Sequence, residues 1–98
     1  MADQSRMNEL AKRFAARLET DSKIIRVILS ELERGNRDSG PELERLAHRI
    51  AGAAGSFGFE EVSRRAARLE QSIADGQIEV VSAAGRELLA VLPPDAGQ

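Results

Sequence analysis

Apolar residues at helical spacing, cut into blocks by glycine and proline, constrain this chain more than any other feature. From Gln4 to about Arg34, Met7, Leu10, Phe14, Leu18, Ile25, Ile28, Leu29 and Leu32 fall on one face of an α-helix. Thr20-Asp21-Ser22 interrupts that stripe and marks a candidate kink or a fresh helix start. The turn residues GNRDSGP at 35–41 end the block; Pro41 suits the first turn of a second helix, with Ser39 as a candidate cap. That helix runs from about Glu42 to Gly55, and GSFG breaks it. A third spans about Glu60 to Ala74, with Val62, Ala66, Leu69 and Ile73 inward and Gly76 at its end. A fourth covers about Glu79 to Leu92 on Val80, Ala84, Leu88 and Val91, until Pro93-Pro94 stops it.

Four amphipathic helices with short links predict an all-α fold, an antiparallel up-and-down four-helix bundle. One small domain covers 1–98, with the bundle at about 4–92, room for a short extra N-terminal helical segment, and a loose tail at 93–98. Only IEVV at 78–81 carries any strand signal.

Composition narrows the function. There is no cysteine, so disulfides and thiolate metal sites are out, and the single histidine cannot build a histidine-based zinc site. No metal site or cofactor of its own is expected. A net charge of −2 and three aromatics, all Phe, argue against nucleic-acid binding. The apolar runs are far shorter than the ~20 residues that span a bilayer. The N-terminus lacks the apolar segment of a secretory signal, so a cytoplasmic protein with no membrane contact is expected; no extra helices offer a dimer interface, so a monomer is the simpler expectation.

The one histidine, His48, stands in LAHRIAGAAGSFGFEEV, with glycines at 52, 55 and 58. A helix turns about 100° per residue, so with Leu43 at zero, Leu46, Ala47, Ile50 and Ala54 lie within roughly 60°. On the same wheel His48 falls at roughly 140°, Gly55 at about 120° and Gly52 at about 180°, on the outer face. Helical side chains lean toward the N-terminus, so the residue four positions on would lie over the histidine ring. That residue is Gly52, which leaves the imidazole uncovered. Glycines that serve close helix packing belong on the core stripe, and these two are off it.

These residues resemble the histidine-containing phosphotransfer (HPt) domain family. Its pattern is a histidine, a lysine three residues on, glycine at plus four, then small residues. A glycine follows at plus ten, a hydrophobic residue at plus fourteen, and Leu-Glu or Leu-Gln at plus twenty-one and twenty-two. Here these positions hold His48, Ala51, Gly52, Ala53-Ala54, Gly58, Val62, Leu69 and Glu70. The resemblance implies a phosphohistidine carrier in a multistep phosphorelay, with receiver domains of hybrid kinases and response regulators as partners. The receiver would bring the magnesium. The carrier itself neither binds ATP nor autophosphorylates, and the chain has no G-x-x-x-x-G-K loop.

Within that resemblance His48 accepts the phosphoryl group. Glu70 faces it from the next helix and accepts a hydrogen bond from Nδ1–H, leaving Nε2 as nucleophile. The surface around His48, Gly52 and Gly55 is the expected docking face, which an exposed Phe57 or Phe59 would extend; a Phe at a helix break more often joins the core. Ala51 departs from the pattern by removing the cation beside the phosphoryl group. Candidate substitutes are Arg45, one turn before His48; Arg49, adjacent but turned roughly 100° away; and Arg68 on the next helix. The alternative reading is a helical adaptor of the same fold that is not phosphorylated. A carboxylate-based bundle enzyme is disfavoured because the Glu-x-x-His pairs of di-iron bundles do not occur.

Overall fold

The structure, a computed structural model, describes residues 2–93, with side chains from residue 5 onward. Four helices follow one another: α1 Ala2–Glu33, α2 Gly40–Ala54, α3 Glu60–Asp75 and α4 Ile78–Val91, with a 3-10 turn at Gly55–Phe57 between α2 and α3. Neighbours in sequence are neighbours in space. α2 packs most extensively on α3, α3 on α4, and α4 closes the bundle against α1. Among the described residues no helix is long and apolar enough to cross a membrane. The expected loose tail lies, after Pro93, outside the described residues.

The core is a single cluster. Leu18, Ile25, Leu43, Ile50, Leu69 and Leu88, drawn from all four helices, are fully buried within it. Small residues let the helices approach: Ala47, Ala54 and Ala66 are completely covered. At one end Phe14 stacks on Phe57 with ring centroids 5.1 Å apart and meets Phe59 at 5.7 Å. Both later phenylalanines are half-buried against the core and so are not free docking residues.

α1 is one unbroken helix. The polar triplet at 20–22 does not kink it, and both buried side chains in it make hydrogen bonds. Ser22 Oγ donates to the Glu19 carbonyl at 2.8 Å, and the inward Asp21 side chain receives Arg49 of α2 at 3.1 Å. No separate N-terminal segment forms; α1 is simply long. Its 32 residues span roughly 48 Å, against roughly 22 Å for the 15 residues of α2. The turns before Phe14 therefore extend past the other helices. Met7 and Leu10, expected in the core, are 45% and 39% exposed for that reason.

α4 also differs from expectation. Its buried stripe is Val81, Ala84, Gly85 and Leu88, followed by Leu92, while Val80 is exposed and Val91 half-buried. Ala84 and Leu88 are buried as expected; Gly85 faces inward with Leu29 of α1 in the place of its missing side chain, and Val81 and Leu92 take the places expected of Val80 and Val91. On α3, Ser72 is buried and Ile73 half-buried; Ser72 Oγ donates to the Leu69 carbonyl at 2.7 Å and is satisfied. α2 begins at Gly40, two residues before the expected start, without a cap bond from the Ser39 side chain. The Ser39 backbone carbonyl accepts the Leu43 N–H at 3.0 Å instead.

Candidate functional site

α2 and α3 carry the site, and the turn between them sets its register. After Ala54 the chain tightens into the 3-10 turn, and Gly58 takes φ +84°, a left-handed conformation that suits glycine. The Phe59 N–H then reaches back to the Ala54 carbonyl at 2.9 Å, and α3 starts at Glu60. A tie the sequence did not announce joins the two helices: Ser63 Oγ donates to the Ala51 carbonyl at 2.7 Å. Buried Leu43, Leu46 and Ile50 on α2 and Val62, Ala66 and Leu69 on α3 share the core beneath.

Above that floor, His48 and Glu70 meet. His48 Nδ1 lies 2.7 Å from Glu70 Oε2, with the histidine side chain 77% exposed and the glutamate 32%. An ionised carboxylate only accepts hydrogen bonds, so Nδ1 carries the proton that it donates to Glu70. In the neutral ring the other nitrogen, Nε2, then keeps its lone pair. This tautomer is assigned from the partner, as it must be for any histidine whose hydrogens are not seen.

The ring borders an open groove lined by Pro41, Glu44, Arg45, His48 and Glu70. It leans toward the N-terminal turn of α2, as helical side chains do. Behind it stands Gly52, exposed, where an added Cβ would meet nothing within 4 Å. Packing therefore places no demand for glycine at 52. Gly55 closes α2 and is exposed; a Cβ there would touch only Ser63 Oγ, at an ordinary 3.7 Å.

The three candidate arginines separate. Arg49 turns to the α1 side of α2 and pairs with Asp21, whose side chain is 4% exposed. Arg68 turns to α4 and pairs with Glu87 at 3.7 Å. Neither lines the groove beside His48. The wheel of a single helix does not say where the neighbouring helices lie, and the acidic partners on α1 and α4 decide both cases. Arg45 remains on the groove, exposed and, among the described residues, without an ion pair or hydrogen bond. Ala51 is half-buried against the core. The sequence reading also missed Asp21. The only signal for it was its place beside the core stripe of α1, where an acid is out of pattern. Its second oxygen, Oδ2, is buried without a partner.

Elsewhere the charges are structural. Arg64 and Arg65 hold Glu61 at 2.8 and 2.6 Å. The Arg65 hydrogen bond keeps the Glu61 carboxyl below its ordinary value, with the Arg64 and Arg65 charges adding to that. Among the described residues no three His, Cys, Asp or Glu side chains gather as a metal site would require.

A family model described as Hpt domain matches residues 7–92, nearly the whole chain. No curated protein and no solved structure matches it.

Proposed function

Because the chain belongs to the Hpt domain family, we propose that it is the phosphohistidine carrier of a multistep relay. It accepts a phosphoryl group from the aspartate of one receiver domain and passes it to the aspartate of another. The observation that carries this reading is the oriented, uncovered ring: Nδ1 held by Glu70, Nε2 free, Gly52 bare behind it.

The chemistry follows from that orientation. Nε2 of His48 attacks the phosphorus of a receiver's aspartyl phosphate. The N–P bond forms as the bond from phosphorus to the acyl oxygen breaks, and the aspartate leaves as a carboxylate. No proton needs to move, because the proton stays on Nδ1, hydrogen-bonded to Glu70. The ring becomes cationic in the product, and the Glu70 carboxylate 2.7 Å away stabilises that charge. Onward transfer is the reverse step on a second receiver. Transfer of this kind is mainly positioning and charge stabilisation. The receiver contributes its aspartate and bound magnesium; this chain contributes the ring and an unobstructed face.

The second reading, an adaptor that binds receivers without being phosphorylated, rests on Ala51, which supplies no cation where the family pattern has lysine. One experiment separates the two. Purified protein is mixed with receiver domains carrying labelled aspartyl phosphate and magnesium, beside His48→Gln. The carrier reading expects label on wild type only, stable to base and labile to acid, with the far-ultraviolet helical signal equal in both. Label on the His48→Gln protein, or binding without transfer to wild type, rejects it.

A further inference from the structure

We infer that Arg45 is the cation that contacts the phosphoryl group on His48, in place of the lysine absent at Ala51. The inference rests on the carrier reading above and assigns the charge that reading leaves open.

Geometry decides where the charge must lie. Glu70 occupies Nδ1, so the phosphoryl group sits on Nε2 of a ring that borders the groove lined by Pro41, Glu44, Arg45 and Glu70. Two of those four residues are carboxylates. A phosphoryl group arriving there carries about −1.5 to −2 charge. Glu70 is engaged with the ring, but Glu44 opposes the newcomer directly. Only one group lining the groove is a permanent cation, and it is Arg45.

Availability decides the rest. Arg49 is held by Asp21, Arg68 by Glu87, and Arg64 and Arg65 by Glu61. Arg45 has no such hold among the described residues. It stands one turn before His48, the side toward which the histidine ring leans. It also borders a second groove with Glu42 and Arg49, so its long side chain stands on the ridge between the two. A guanidinium forks well onto two phosphoryl oxygens. Arginine three residues before the histidine thus does on the near turn what a lysine three residues after it would do on the far one.

The test uses two donors. A receiver's aspartyl phosphate reports transfer with docking. Inorganic phosphoramidate reports the ring alone: Nε2 attacks phosphorus, the P–N bond breaks and ammonia leaves. Arg45→Ala should slow labelling from both donors by about tenfold or more, the scale of a lost hydrogen bond to a charged group. Arg45→Lys should keep most of the rate. Arg68→Ala should match wild type within about twofold; Arg49→Ala, which leaves the buried Asp21 unpaired, should do so wherever it remains folded. Ala51→Lys added to Arg45→Ala should restore labelling, with thermal melts confirming that every variant is folded. Unchanged phosphoramidate labelling in Arg45→Ala overturns the inference, even if transfer from the receiver falls, because Arg45 would then touch the receiver and not the phosphoryl group. Absence of label on wild type from either donor is a different failure and rejects the carrier reading itself.

Discussion

Gly52 on α2 and Gly85 on α4 both lie inside helices, where glycine costs about 0.5–1 kcal/mol relative to alanine. Their surroundings are opposite. A Cβ at Gly85 would stand 2.7 and 2.8 Å from the two methyl carbons of Leu29, itself almost wholly buried. A Cβ at Gly52 would meet nothing within 4 Å. One glycine is required by the approach of α4 to α1. The other is required by nothing in the fold, and it stands one turn beyond an exposed, oriented histidine. The comparison teaches how to separate a structural glycine from a functional one: a helix cost offset by packing is explained, and one left without a packing return points to access.

The largest expected effect comes from filling Gly52. A glutamine there leans over the His48 ring, and transfer should fall by about 100-fold, the scale of a misplaced reacting group. Its stability should rise, because glutamine is a better helix former. Gly52→Ala should gain about 0.5–1 kcal/mol while keeping most of the transfer, since a methyl does not reach across the ring. Thermal melts beside transfer rates would show the two readouts moving in opposite directions for glutamine. A glutamine variant with normal transfer removes the functional half of the comparison.

Gly85→Ala should behave in the reverse sense. Overpacking against Leu29 costs about 1–3 kcal/mol, and the helix gain returns less than one. A net loss on the order of 1 kcal/mol is expected by urea unfolding, with transfer unchanged wherever the protein remains folded. Paired with Leu29→Ala, the alanine at 85 should turn favourable, and an additive pair would place the strain elsewhere.

The same contrast explains what was legible in the sequence. The four helices and the outward position of His48 follow from periodicity within single helices, and the wheel of α2 needed no knowledge of its neighbours. The meeting of His48 with Glu70 came from a compound motif spanning α2 and α3. What escaped depends on contacts between helices remote in sequence. Gly85 does not count as apolar in a periodic pattern, so Val80 and Val91 were expected inside where Val81 and Leu92 are, although Ala84 and Leu88 were read correctly. Asp21 looked like a break in α1, because its reason, Arg49, lies 28 residues on. Arg49, already turned away from His48 on the wheel, pairs with Asp21 of α1, and Arg68 pairs with Glu87 of α4, partners that the sequence pattern did not show. Met7 and Leu10 keep the period but run past the end of the bundle, and a pattern carries no information on where its partners stop.

The smallest effect concerns what flanks Gly85. On the same α1–α4 contact, Glu33 accepts hydrogen bonds from Ser82 Oγ and, at 2.6 Å, from Arg86. The Ser82 hydrogen bond first, and Arg86 second, hold its carboxyl below the ordinary value of 4.5. A carboxyl lowered in the folded state contributes stability above its unfolded value and loses it as pH falls through the folded one. Wild type should therefore melt slightly above Glu33→Gln at pH 7, and the gap should close as pH falls below about 4.5. Glu33 lies one turn from Leu29, and Ser82 and Arg86 flank Gly85, so the two sites share one contact. Neighbouring sites of this kind do not add. If the polar tie presses α4 onto α1, releasing it lets the helices part and relieves the strain of an alanine at 85. Glu33→Gln should then reduce the cost of Gly85→Ala at pH 7 and leave the gain of Gly52→Ala untouched. An equal change at both glycines would mean that the tie acts on the whole bundle, and that the close approach at Gly85 is set by Leu29 alone.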